Sequence, residues 1–312
     1  EWIAIGYSDG YTPTAFAGTF DGKGHTVTLT LDTIGQSYVG FFGYVTGTVK
    51  NLTVDGSVKA DSTGSNGIGH AAGVVAYLAG GTVKMCVNRA SVTTDKCCYT
   101  AGIVGGSENG KIKNCRNTGE ISSTYESTGG HAAGIANEAE SVTQCWNEGD
   151  IELKTVKGKS ANSRVAGVAT GAPVLNSANF GKVSGPTWAE TGVSIGGVGT
   201  TAVSNSYNLG TVTGAAGKTY NISGGTVVNS YYADIAGKTG IYVKDSAGIT
   251  DADKSQSITI TEVDGKKAYK VGNVELVDVL NGACKNISGA LEWINKQEAP
   301  NNPCLLYTSP SP

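Results

Sequence analysis

The chain has 312 residues, of which 46 are glycine and 16% are charged, and its formal net charge is −3. This charge balance argues against a nucleic-acid-binding surface, which needs a basic stripe. The sequence holds no run of about eighteen apolar residues, so we expect no membrane insertion. It begins at Glu1 and contains a single methionine, Met85, so we expect a fragment of a larger protein.

The chain opens with a lead-in over residues 1–35 and then repeats itself about every thirty positions from residue 49 to residue 230. A fixed period of this size is typical of a solenoid, in which each unit buries its apolar face against its neighbours. We therefore take residues 1–239 as one repeat domain.

Four columns of the repeat lie two residues apart, in the order Cys or Ser, Asn, a small residue, and Val or Ile. The first two columns are Cys86, Cys115, Cys145, Ser177, Ser206 and Ser230, and Asn88, Asn117, Asn147, Asn179 and Asn208. Positions two apart point to the same side of a strand, so these columns share one face. The small residue, usually glycine, marks a bend where a side chain does not fit or where positive φ is needed.

A short apolar segment bounded by glycine or alanine precedes each of these centres. These segments span residues 40–43, 72–76, 101–105, 133–136, 166–169 and 195–198. Such runs suit buried strands, and no part of the repeat shows helical spacing of apolar residues. The sequence predicts an all-β fold: a right-handed parallel β-helix of about seven coils with a small C-terminal α+β cap.

The columns also predict what the stacked side chains do. An inward asparagine amide can bond to its neighbours and to the local backbone, which satisfies polar groups that are costly to bury. We interpret Cys86, Cys115 and Cys145 as small buried apolar residues with reduced thiols, which leaves a bridge between neighbouring coils as the alternative.

The glycine-bounded Gly40–Gly43 and Ala101–Gly105 segments, followed by Asn-Cys-x-Asn-x-Gly-x-Ile at residues 114–121, resemble the GLUG-motif repeats of bacterial surface proteins. Residues 2–6 and 16–27 resemble the lead-in to such repeats. The resemblance covers residues 1 to about 235. It implies a secreted or cell-surface protein, and it carries over no catalytic signature, metal or cofactor.

The period is lost after residue 232, and we take residues 240–303 as a cap or the start of a following small domain. Residues 258–263 and 266–271 predict a hairpin, residues 274–280 a helix capped by Asn273 and stopped at residues 281–282, and residues 289–294 a strand. Residues 304–312 resemble translated sequencing-adaptor read-through from metagenomic data, so we expect a non-native tail outside the fold.

One pair of acidic residues has the spacing of a catalytic pair. Glu120 and Asp150 fall in one column of adjacent coils, and carboxylates about 5 Å apart are typical of retaining glycosidases. The alternatives are a solvated polar face, which we favour, and weak calcium binding. His70 and His131 lie two coils apart with Tyr99 between them, too far apart to share a zinc ion, and His25 stands alone. We therefore predict no metal and no cofactor.

A row of large side chains follows the Cys or Ser column: Arg116, Trp146, Tyr207 and Tyr231. Its parity opposes the inner column, so we expect it to face outward and to stack on sugars or anchor a partner protein. The alternative is that the row packs under a loop or a neighbouring domain.

Two hypotheses follow. The first is a non-enzymatic extracellular module, a stalk or adhesin-like scaffold whose partners are host or microbial glycans, surface proteins or the parent protein's adjacent domains. The second is a carbohydrate-active enzyme, a polysaccharide lyase or glycoside hydrolase, that uses Glu120 and Asp150.

Overall fold

The computed structural model describes residues 3–6, 14–61, 69–96, 98–233, 256–263, 266–284, 293–296 and 304–307. From Thr19 to Ala233 the chain winds through stacked coils, and each pair of neighbouring strands in these coils is parallel. Each complete coil runs through four sheets, which we call sheets I to IV in the order in which the chain meets them. The all-β parallel solenoid is therefore confirmed.

Sheet I contains eight short strands. They are Thr19–Asp21, Thr48–Lys50, Thr82–Lys84, Lys111–Lys113, Ser141–Thr143, Val174–Leu175, Val203–Ser204 and Val227–Val228. In the Val-Lys strands the central residue is buried in the core and its two neighbours are more exposed, as at Val83 between Thr82 and Lys84. This alternation is that of a sheet with one solvated face.

Sheet II receives two strands from most coils, because the chain bends between the asparagine column and the Val or Ile column. The first strands are Val87–Asn88, Arg116–Asn117, Trp146–Asn147, Ala178–Asn179, Tyr207–Asn208 and Tyr231–Ala233. The second strands are Ser91–Asp95, Ile121–Thr124, Ile151–Lys154, Val183–Ser184 and Val212–Thr213. In the two coils nearest the N-terminus both parts form one long strand, Thr26–Ile34 and Thr53–Asp61.

Sheets III and IV hold the segments predicted from their apolar, glycine-bounded runs. Sheet III is Tyr38–Val39, His70–Ala72, Tyr99–Ala101, His131–Ala133, Arg164–Ala166, Ser194–Gly196 and Thr219–Tyr220. Sheet IV is Phe42–Val45, Val75–Ala79, Val104–Glu108, Ala136–Asn137 and Ala169–Thr170. The core lies between the sheets and is filled mainly by Val, Ile, Leu and Ala.

The asparagines form one continuous ladder, as predicted. Each amide Nδ2 donates to the Oδ1 of the asparagine in the next coil at 2.7–2.8 Å, from Asn88 to Asn208. The same Nδ2 also donates to the carbonyl oxygen two residues ahead in its own coil. Both amide protons are thus used, and the ladder fixes the register of the stack.

The cysteine column is buried, but its interpretation as merely apolar is corrected by its hydrogen bonds. The backbone N–H of Cys115 donates to Cys145 Sγ at 3.4 Å, and the N–H of Cys145 donates to Ser177 Oγ at 3.1 Å. Each thiol or hydroxyl in turn lies within donating distance of the carbonyl two residues back, as Cys115 Sγ does to Lys113 O. Cysteine and serine can both occupy this column because both can donate and accept. Cys86, Cys115 and Cys145 are free.

At several positions of two columns glycine is required because there is no space for a side chain. A Cβ at Gly119 would overlap the carbonyl oxygen of Ala90, and a Cβ at Gly149 would overlap that of Gly119. A Cβ at Gly102 or Gly134 would overlap the amide of the asparagine ladder. Gly119 and Gly149 have no positive φ, so at these two positions the steric reason holds, whereas Gly56 in the same column has a φ of 98°.

Positive φ occurs instead just before the Cys or Ser column, at the corner between sheets I and II. The residues there include Asn51, Asn114, Asn176, Asn205 and Asn229, with φ between 44° and 54°. Asparagine tolerates this left-handed conformation better than other non-glycine residues, because its short amide bonds locally. This role of the corner asparagines was not predicted from the repeat pattern.

The C-terminal cap continues sheet II and then covers its outer face. Strand Gln256–Val263 pairs in parallel with Tyr231–Ala233 and forms the predicted hairpin with Lys266–Val271. The turn at residues 264–265 lies outside the described residues. The cap's helix, Leu276–Cys284, buries Leu276 and Leu280 against the hairpin and the solenoid.

Two details of the C-terminal prediction are wrong. Val274 and Glu275 form a short strand that pairs with Lys270 and Val271, so the helix begins later than predicted and runs through residues 281–282. Strand Trp293–Lys296 pairs with Cys304–Tyr307, so part of the segment that we placed outside the fold forms a strand. Residues 289–292, 297–303 and 308–312 lie outside the described residues.

We predict that removing an interior rung of the asparagine ladder costs more than removing the first one. Asn117→Ala leaves the Asn147 Oδ1 and the Gly119 carbonyl without their donors and removes an acceptor from Asn88. We expect a loss of about 2–4 kcal/mol in unfolding free energy. Asn88 Oδ1 has no hydrogen-bond partner among the described residues, so Asn88→Ala orphans fewer groups and costs less. Urea unfolding curves that show an equal or larger loss for Asn88→Ala would contradict this account.

We also predict that Cys115→Asp destabilises the fold by about 3–5 kcal/mol, because a buried carboxylate without a positive partner is costly. The carboxylate has no proton to donate to the Lys113 carbonyl, which the thiol contacts at 3.3 Å. The matched control is Cys115→Ser, which reproduces the chemistry of Ser177 and should change stability by less than about 1 kcal/mol. An unchanged melting temperature for Cys115→Asp would show that the column is solvated.

Candidate functional site

The row predicted to face outward lies outside the solenoid, but the cap covers much of it. Arg116, Trp146, Ala178, Tyr207 and Tyr231 are register neighbours in successive coils. Tyr207 is fully buried and Tyr231 is 8% exposed, because both pack against Ile258, Tyr269, Leu276 and Leu280 of the cap. The prediction of an exposed binding row is therefore wrong for these two tyrosines, and the alternative of packing under a neighbouring unit holds.

The other end of the row is only partly covered. Trp146 is half-buried against the same cluster. Arg116 forms an ion pair with Glu148 in the next coil, with Nη2 2.6 Å from Oε2. The guanidinium is therefore engaged within the fold and does not extend an aromatic platform for a ligand.

Glu120 and Asp150 lie one coil apart, as predicted. Ile121 pairs with Ile151, so the residues that precede them are in neighbouring coils. Both residues are exposed to solvent. Asp150 Oδ1 accepts a hydrogen bond from the backbone N–H of Lys182 at 2.8 Å. The nearby Glu148 and Glu152 pair with Arg116 and Lys154. This arrangement matches the solvated polar face that the sequence analysis favoured, because catalytic carboxylates need a partly dry site.

The histidines occupy one column of sheet III with tyrosines between them. His70 stacks between Tyr38 and Tyr99, with ring centroids 5.3 and 4.8 Å away, and Tyr99 lies 4.7 Å from His131. Tyr77, from sheet IV, meets His70 edge-on at 4.9 Å. The predicted separation by Tyr99 is confirmed. The ring faces contact one another, so the column offers mainly ring edges to the surroundings.

Both imidazoles are buried, which favours their neutral form. Desolvation lowers the pKa of His70 to about 3, with a smaller effect of His131. Desolvation likewise lowers the pKa of His131 to about 3, with a contribution from the charge of Arg164. His131 Nδ1 lies 3.4 Å from the Thr170 hydroxyl, which itself donates to Asn137 Oδ1. The hydroxyl oxygen can accept a hydrogen bond from Nδ1–H, so the neutral Nδ1–H tautomer fits this network.

A basic stripe on the outer face of sheet I was missed. It consists of Lys50, Lys84 and Lys113, which are direct register neighbours. Lys50 pairs with Asp21 at 3.2 Å, whereas Lys84 and Lys113 form no ion pair with any described residue. The signal was present in the repeat itself, because Val49-Lys50, Val83-Lys84 and Ile112-Lys113 occupy equivalent positions.

Within the described residues, no cluster of three or more His, Cys, Asp or Glu side chains is arranged to hold a metal ion. The helix in this part of the chain is not long and apolar enough to span a membrane. Neither finding identifies a function.

Comparison with known proteins does not assign the chain to a family. No protein-family model, no curated protein and no solved structure matches it significantly. The resemblance to GLUG-motif repeats therefore stays a prediction that depends on the motifs alone.

The buried histidines predict that stability falls as the solution is acidified. Between about pH 6.5 and pH 3 the unfolded chain binds protons at His70 and His131 that the folded chain does not bind, so unfolding becomes easier as pH falls. The slope should approach about 1.4 kcal/mol per pH unit for each histidine. The measurement is the unfolding free energy at several pH values for the wild type and for His70→Gln/His131→Gln.

The control for this experiment is His25→Gln, because His25 is exposed. We expect the control to keep the wild-type slope and the double variant to lose most of it. A double variant with an unchanged slope would assign the acid sensitivity to carboxylates instead. Asp21 is the main candidate, because its hydrogen bond with Asn51 lowers its pKa to about 2.

Proposed function

We propose that this chain is a non-enzymatic, extracellular repeat module of a bacterial surface protein, serving as a stalk or adhesin-like binding scaffold. The observation that carries the proposal is the uninterrupted asparagine ladder through five coils. Buried side-chain hydrogen bonds from coil to coil stiffen the stack along its axis, and stiffness along one axis is what a stalk requires.

The burial of the reactive side chains supports a non-catalytic role. Catalysis needs an acid, a base or a nucleophile within mutual reach, usually with perturbed pKa values and restricted water. His70 and His131 are buried among aromatic rings, and the thiols of Cys86, Cys115 and Cys145 lie inside the core. These groups contribute to the stack and are not accessible to a substrate.

The extracellular location and the bacterial source are supported by the GLUG-like motifs. The partners that fit such a module are host or microbial glycans, surface proteins and the adjacent domains of a larger parent protein. Because Tyr207 and Tyr231 are covered by the cap, binding through the aromatic row is not part of the proposal.

A carbohydrate-active enzyme that uses Glu120 and Asp150 is the second candidate. The register of sheet II favours it, because these carboxylates project from neighbouring coils. The exposure of both residues and the hydrogen bond from the Lys182 backbone to Asp150 oppose it.

We predict no turnover of glycans or peptides by the purified chain. The test incubates the wild type, Glu120→Gln and Asp150→Asn with acidic and neutral polysaccharides and with peptides, and follows product release. We expect all three proteins to match the protein-free blank and to share one melting temperature, because the two side chains are exposed. Depolymerisation by the wild type that either substitution abolishes would establish the enzyme.

A further inference from the structure

We propose that the basic stripe of Lys50, Lys84 and Lys113 binds a linear polysaccharide that carries carboxylates, laid along the axis of the stack. The inference rests on the proposed scaffold function and names its ligand class. The chain as a whole is acidic, with a net charge of −3, so a local positive row is a departure that needs a physical account.

The lysines of the stripe repel one another. Lys84 is the register neighbour of both Lys50 and Lys113, so three ammonium groups stand on adjacent parallel strands. Neighbouring strands lie about 4.8 Å apart, and like charges placed directly opposite each other destabilise a sheet. An anion bound along the row would relieve this repulsion at each coil.

Only some of the lysine charges in this region are available to bind a ligand. Lys50 is paired with Asp21, and in the neighbouring column Lys111 is paired with Glu140 at 3.3 Å. Lys84 and Lys113 lie between these two pairs and have no carboxylate partner among the described residues. The two free ammonium groups therefore mark the centre of the site, and the paired lysines form its ends.

The basic stripe is accessible from solvent. Val49, Val83 and Ile112 are buried in the core, so the residues on either side of them project from the opposite, outer face of sheet I. Lys113 is exposed and Lys84 is half-exposed. The described residues of the cap pack on the outer face of sheet II, against Tyr207 and Tyr231, and not on this face.

The side chains beside the stripe favour one class of anionic polymer. The stripe is flanked by partly exposed hydroxyls of Thr48, Thr82, Ser141 and Thr143, which can hydrogen-bond to sugar hydroxyls. A nucleic acid site gathers many phosphate contacts and usually a wider basic surface. A narrow row of two free lysines flanked by hydroxyls fits a sugar polymer, which carries both carboxylates and hydroxyls, better than it fits a nucleic acid.

The test uses polygalacturonate, a linear polymer with one carboxylate per sugar, and measures its binding to the whole chain at low ionic strength. We expect saturable binding that weakens as salt is added, because exposed charges are screened. In Lys84→Gln/Lys113→Gln the affinity should fall about tenfold or more, as expected when two charge-assisted contacts are lost.

The matched control is Lys59→Gln/Lys154→Gln, which removes the same charge from sheet II. Both of these lysines are exposed and are paired with Asp32 and Glu152. We expect the control to bind polygalacturonate within about twofold of the wild type, because its lysines lie away from the stripe. Neutral dextran should not bind any of the proteins. Equal melting temperatures of the variants would show that the fold is intact.

Three outcomes would overturn the proposal: no binding of polygalacturonate, equal losses in both double variants, or stripe-dependent binding of a single-stranded oligonucleotide without binding of polygalacturonate. Failure of this inference is separate from failure of the proposed function. Absence of binding without turnover removes the ligand and leaves the scaffold, whereas cleavage of the bound polymer contradicts the non-enzymatic role.

Discussion

The hydrogen bond from one asparagine amide to the next is the constraint on which the rest of the structure depends. Each Nδ2 also donates to a carbonyl oxygen in its own coil, so two hydrogen bonds fix the orientation of the amide. A shift of one residue in register would turn the amide to the outer face and leave buried groups without partners. Each of the five coils from Asn88 to Asn208 must therefore return to the same position relative to its neighbour.

This requirement determines where coil length can vary. The connection from sheet IV to sheet I and the corner from sheet I to sheet II keep nearly constant lengths in three successive coils, whose sheet I strands are Thr82–Lys84, Lys111–Lys113 and Ser141–Thr143. The connection from sheet II to sheet III differs in each of these coils, covering residues 96–98, 125–130 and 155–163. Much of the irregularity in the period thus reflects loops at this edge, which is where a solenoid tolerates insertions. A smaller part comes from sheet IV, whose strands shorten from Val104–Glu108 to Ala136–Asn137.

The sequence predicted those features that depend on the repeat and missed those that depend on contacts outside it. The register of Asn88 with Asn117, and of His70 with Tyr99, follows from alignment of the copies alone. Parity also placed Tyr207 outside the solenoid correctly. Parity cannot show what covers an outer face, however, and the cap that buries Tyr207 comes about fifty residues later in the chain.

Local conformation caused the other errors. Asparagine serves two roles in this repeat, as the inward ladder at Asn117 and as the left-handed corner at Asn114, and composition does not separate them. In the cap, Gly272 adopts a φ of 60° and turns the chain, so Val274 and Glu275 pair back onto the hairpin before the helix begins. A capping signal at Asn273 is outweighed there by the pairing of strands.

The same ladder explains why the interior holds so little chemistry and where function can reside. Inward positions must match the coil above and the coil below. Cys115 can therefore be exchanged only for a residue, such as serine, that makes the same two hydrogen bonds. Outward positions away from the cap carry no such condition, because their side chains end in solvent. Lys84 and Lys113 nevertheless repeat in register although like charges repel. Stacking of the backbone places these side chains side by side, and nothing in the ladder itself requires them to be lysine.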